Sequence, residues 1–217
     1  MSSFCRGDYN RAMRRFILVA LLLIPLGRMS AQSNPGQRLD EEYARLIRQH
    51  LQDPRISTEL VDHLPVSDRL PSPLKFFGHI VGTPGELTYA KDIQRYYETL
   101  ASRSPRARFW KIGVSEEGRD MVALAIAVES TIAGLDQYKS MLSALTDPRT
   151  TSDDEAARLL VTAKPIYYVV SGMHSPETGG PEMLIELAYR LLVEETPFIR
   201  NIRNNVITII TPVIEPD

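Results

Sequence analysis

The chain has 217 residues, 43% hydrophobic and 24% charged, which is enough apolar material for one sizeable core and does not suit a disordered chain. Its 25 basic and 27 acidic residues leave a formal charge of −2, with no stripe of Lys and Arg, so nothing points to a nucleic-acid partner.

Arg11, Arg14 and Arg15 precede the eleven-residue apolar run Phe16 to Leu26, and small residues around Ser30 and Ala31 follow. That order reads as a secretory signal peptide over residues 1–31, cut between 31 and 34. The run is shorter than the roughly 20 residues of a membrane span, so no stable span is expected after cleavage, and an uncleaved anchor is the alternative. A secreted or periplasmic location follows. Removing residues 1–31 takes five Arg and one Asp and leaves 20 basic and 26 acidic residues, a net charge of −6. The single cysteine, Cys5, would leave with the leader, which excludes a disulfide and a thiol nucleophile from the mature chain.

In chain order, "RLDEEYARLIRQHL" carries Tyr43, Leu46, Ile47 and Leu51 near helical spacing behind acidic residues, and predicts a helix. Residues 53–85 are proline-rich and predict an extended passage over a domain surface; together, 32–84 form an N-terminal helix and Pro-rich segment. "LTYAKDIQRYYETLASR" predicts a second helix with Thr88 as N-cap. "ARFWKIGVS" and "MVALAIAV" flank "EEGRD" and predict a hairpin turning at Gly118. Leu135 to Leu145 and Asp153 to Val161 predict two short helices, "PIYYVV" a buried strand, Pro181 to Glu194 a helix with Leu184, Leu187, Ala188, Leu191 and Leu192 on one face, and "NNVITIITPVI" another buried strand. Strands alternating with helices imply an α/β fold: a mixed, largely buried sheet flanked by helices.

The turn between the "PIYYVV" strand and the helix after it reads "SGMHSPETGG", with His174 and Glu177 three residues apart. Ligands of α/β sheets bind at this edge, where a strand gives way to a helix. An imidazole and a carboxylate are both zinc ligands, and a catalytic zinc typically takes three protein ligands. The alternative is that Glu177 caps the following helix through its dipole and His174 is an ordinary loop residue.

Three stretches, "KIGVSEEGRDMVALAI", "YYVVSGMHSPETGGPEMLIELAYRLL" and "VITIITPVIEPD", resemble in order and spacing the front half of the zinc-dependent metallocarboxypeptidase family typified by carboxypeptidase A. Ser115, Gly118 and Arg119 match a Ser-x-x-Gly-Arg hairpin; Gly172, His174 and Glu177 match Gly-x-His-x-x-Glu; Pro216 and Asp217 match part of Asn-Pro-Asp-Gly. The resemblance covers roughly residues 85–217 and implies the N-terminal part of a zinc carboxypeptidase-like α/β/α sandwich, incomplete in this chain. It implies a secreted enzyme that hydrolyses the C-terminal peptide bond of a peptide or protein by zinc-activated water, with His174 and Glu177 as two zinc ligands. The third ligand and the general-base glutamate fall beyond residue 217 in the family, so the chain alone is expected to be inactive and poorly soluble. His50, His63 and His79 lie upstream in the wrong order and are not recruited, and Arg119 reads as a structural turn residue. Pro176 and Glu215 depart from the family's usual arginine and asparagine and leave the side-chain preference open; the insertion from about Ile132 to Lys164 could alter the cleft rim. Two other readings stand: a zinc amidohydrolase or deacylase of the aspartoacylase type, and a non-catalytic exported binding module.

Overall fold

A computed structural model describes residues 36–217, so the expected leader lies outside the described residues. The first helix, α1 (Glu41–His50), starts where Asp40 accepts a hydrogen bond from the Tyr43 amide, 3.0 Å, a side-chain N-cap followed by acidic residues. The proline-rich passage is loop-rich, with turns and bends around a 3-10 turn at Pro54–Ile56 and a short helix that the sequence does not predict, α2 (Pro73–Phe77), where Ser72 caps and Pro73 opens the first turn. The next helix, α3 (Ala90–Arg103), begins after Tyr89 with no side-chain cap bond, so Thr88 does not cap it. The Thr88 amide instead donates to Glu182, 2.9 Å.

The hairpin forms as expected from β1 (Ala107–Val114) and β2 (Asp120–Ile126), with Gly118 at φ +85° in the turn. Two helices follow in the expected places, α5 (Leu135–Leu145) and α6 (Asp153–Thr162), preceded by a one-turn helix, α4 (Glu129–Ala133). Then come β3 (Ile166–Val170), α7 (Gly179–Val193), α8 (Pro197–Asn205) and β4 (Ile207–Thr211). The sheet order is β1-β2-β4-β3; β1, β2 and β4 pair antiparallel, while β3 runs parallel to β4. This is the expected mixed α/β architecture.

Alternation along the inner strands builds two layers. Leu124, Ile126 and Ile210 face the main core, where they meet Ile93, Tyr97 and Leu100 of α3 and Leu184, Ala188 and Leu191 of α7. Ala125 and Ile207 face the other side, against Leu135 and Tyr138 of α5. This second layer is thin, since α5 and α6 have no buried residue.

Of four fully or almost fully buried tyrosines, three tie the N-terminal passage to the core and the fourth, Tyr97, ties α3 to α7. Tyr96 donates to the Pro71 carbonyl (3.0 Å), Tyr189 to that of Pro65 (2.9 Å), Tyr97 to that of Leu184 (2.9 Å), and Tyr43 to the Glu186 carboxylate (3.0 Å). A buried phenol needs such a partner. Burial raises all four pKa values, so each hydroxyl stays a donor. Arg190, 5% exposed, donates to Glu194 at 2.5 Å and to the His63 carbonyl, joining the same passage to α7.

β3 departs from expectation. "PIYYVV" reads as a buried strand, yet Ile166, Tyr167, Tyr168 and Val170 are exposed, with Tyr167 at 64% and Tyr168 at 51% on opposite faces. Among the described residues β3 has a strand neighbour on one side only, so its apolarity is not matched by cover.

Candidate metal and substrate site

The "SGMHSPETGG" turn leaves β3 beside the end of β4, and the two chains stay paired beyond the strands. The Ser171 amide donates to the Thr211 carbonyl (3.1 Å), Ile214 to Ser171 (2.9 Å) and Glu215 to Gly172 (3.1 Å). Gly172 has φ +64°, and a Cβ there would lie 2.9 Å from the Val213 Cα, so positive φ and close backbone approach both call for glycine. A Cβ at Gly180 would lie 2.0 Å from the Ser171 hydroxyl, which lets the first turn of α7 sit directly on the end of β3.

His174 and Glu177 are held in one tight turn, closed by the Glu177 amide donating to the His174 carbonyl at 3.0 Å. Both side chains are exposed and line a pocket of about 210 Å³ at the carboxyl ends of the adjacent parallel strands. Among the described residues neither side chain has a hydrogen-bond or ion-pair partner. α7 has Thr178 at its N-cap and no side-chain cap bond, so Glu177 makes no capping hydrogen bond, although it stands just ahead of the helix N-terminus, where the dipole favours a carboxylate.

The remaining walls come from two segments. One is Val213 to Asp217 after β4; the other is Leu87 to Ala90, leading into the first residue of α3, which no sequence signal predicts as part of the site. Leu87 and Tyr89 are 61% and 69% exposed at the mouth, and the Thr88 hydroxyl is buried without a partner among the described residues. Nothing in the local sequence marks this stretch, because an exposed Leu or Tyr before a helix is ordinary. The pocket lining holds Glu177, Glu215 and Asp217 but no Lys or Arg, and so favours a cation.

Asp217 is engaged rather than free. Its Oδ1 accepts from the Ser115 hydroxyl (2.6 Å) and the Arg119 guanidinium (2.7 Å), and its Oδ2 from the Glu117 amide (2.9 Å). The Ser115 hydrogen bond, followed by those from Glu117 and Arg119, holds its carboxyl below the usual carboxylate range. Arg119 also pairs with Glu117 at 2.6 Å, which fits its reading as a structural turn residue.

His174 and Glu177 fit part of a zinc site: the donors are of the right type, close together, exposed and otherwise unengaged. A third donor is not clustered with them, since no group of three His, Cys, Asp or Glu residues suited to a metal occurs among the described residues. None of His50, His63 and His79 lines this pocket. His50 borders a separate apolar cavity beside α7, His63 sits against Asp62, and the His79 ring lies 5.9 Å from that of Phe77. No residue of the 132–164 insertion lines the pocket either.

The family model for zinc carboxypeptidase matches residues 93–217, more than half of the chain. Similar solved structures include the carboxypeptidase A from Helicoverpa armigera, 20% identical over 61% of this chain and 25% of that one (TM-score 0.43). A metallo-carboxypeptidase from Burkholderia cenocepacia is 19% identical over 59% and 28% (TM-score 0.40). Thrombin activatable fibrinolysis inhibitor is 16% identical over 82% and 32% (TM-score 0.42). The chain therefore spans about a quarter to a third of the length of these structures. A search of curated proteins finds no match.

Proposed function

The chain belongs to the zinc carboxypeptidase family, and from that premise we propose that it is the front part of a secreted zinc metallocarboxypeptidase, acting on the C-terminal bond of peptides or proteins. The observation that carries this reading is the His174–Glu177 turn, which presents an unengaged imidazole and an unengaged carboxylate to one pocket at the sheet's carboxyl edge. Residues 32–84 are read as an N-terminal helix and Pro-rich segment and 85–217 as the N-terminal part of a zinc carboxypeptidase-like domain. Residues 1–31 are read as the export signal; among the described residues no helix is long and apolar enough to cross a membrane.

His174 and Glu177 would hold the metal. When bound, zinc supplies a lowered pKa to water and polarises a carbonyl. The protein's part is placement. Gly172 and Gly180 fix the ligand-bearing turn against Val213 and Ser171, and Leu87 and Tyr89 offer apolar contact at the mouth. Glu215, which also lines the pocket, disfavours an anionic substrate group near it and favours a cationic one.

Two donors fall short of the three that a catalytic zinc typically takes, so these 217 residues alone are expected to release no C-terminal residue from a peptide mixture followed by mass spectrometry. Chelator-sensitive release by the 217-residue protein would overturn this account of the site.

A further inference from the structure

We propose that Asp217 is a positioning residue for the His174–Glu177 turn, transmitting the rigidity of the β1–β2 hairpin to the ligand-bearing backbone. This rests on the reading of His174 and Glu177 as metal ligands.

Metal-ligating side chains are ordinarily oriented by hydrogen bonds to their far atoms. Among the described residues His174 and Glu177 have none, so their aim depends on where the backbone between Gly172 and Thr178 lies. Inside that stretch the support is slight: the Glu177 amide to the His174 carbonyl, and the Thr178 amide to the Pro176 carbonyl at 3.1 Å. Outside support comes from the neighbouring strand exit. Ile214 and Glu215 donate to Ser171 and Gly172, and Val213 packs on Gly172.

That exit needs a pin of its own. β4 ends at Thr211, and Asp217 is where the following segment meets the hairpin. Both carboxylate oxygens are used, by three donors from a single turn. The turn is itself well tied: the Ser115 amide donates to the Arg119 carbonyl (2.8 Å), the Arg119 amide to the Ser115 hydroxyl (2.9 Å), and Gly118 supplies the left-handed residue. The path is continuous, from hairpin turn to Asp217, along residues 213–216, to Gly172 and His174. It places Ser-x-x-Gly-Arg, His-x-x-Glu and Pro-Asp, dispersed over about a hundred residues of sequence, in one connected network.

Hydrogen–deuterium exchange and Co(II) titration on the full chain test it. In Asp217→Ala, exchange should rise at 172–178 and 213–216 and stay unchanged in α3 and α7, with Co(II) affinity falling by about 10- to 100-fold. Arg119→Ala should do the same more weakly. Asp217→Asn, which keeps an acceptor oxygen, should be intermediate, and it serves if the alanine variant fails to fold. Unchanged exchange at 172–178, or an equal rise throughout α7, overturns the proposal. His174→Ala separates the two readings: intact Co(II) binding there sinks the ligand assignment, while the exchange result for Asp217, which needs no metal, still decides the positioning role.

Discussion

The two apolar segments that flank the site turn have opposite fates. In α7, ten of fifteen residues are buried, including Glu182 and Arg190, whereas in β3 four of five are exposed although Ile, Tyr and Val fill it. Burial follows neighbours rather than apolarity. α7 is enclosed by α3, the N-terminal passage and the sheet, so even its charges are paired in the interior. β3 has β4 on one side and no strand on the other among the described residues.

The sharpest way to break the α7 side is Arg190→Ala. It removes the ion-pair partner of the buried Glu194 carboxylate and strips the His63 carbonyl of its donor, so a loss of about 3–5 kcal/mol is expected in denaturant unfolding. Between the two segments, Gly172→Ala forces a side chain into φ +64° and onto the Val213 backbone, and should cost at least about 1 kcal/mol while raising exchange around His174. On the β3 side, Tyr167→Lys should change stability by less than about 0.5 kcal/mol yet raise the concentration at which the chain stays monomeric in light scattering. If Tyr167→Lys destabilised as much as Arg190→Ala, the contrast between a packed helix and an open edge would be wrong.

The same contrast marks what the sequence made legible. Local signals sufficed for α1, with its Asp40 cap, and for the hairpin, whose Gly118 turn sits between two strand-like runs. They also marked the His174–Glu177 turn, because a strand-like run ends and a helical one begins on either side of it. Thr88 shows that a cap-forming residue type does not tell which helix turn it will serve; its amide donates to Glu182, 94 positions away. α2 and α8 carry cap-and-proline signals at Ser72-Pro73 and Thr196-Pro197, but their proline-rich or short polar surroundings hide them. β3's exposure was illegible, since a run of apolar residues reports what a strand can bury, not what is there to cover it. The partnership of Asp217 with Ser115 was beyond periodicity altogether.

The central claim is that His174 and Glu177 are metal donors, and zinc bound per chain at equilibrium, wild type against His174→Ala, tests it most directly. The account predicts weak binding of one zinc by the wild type, lost in the variant with circular dichroism unchanged. Equal zinc binding by both proteins would contradict it.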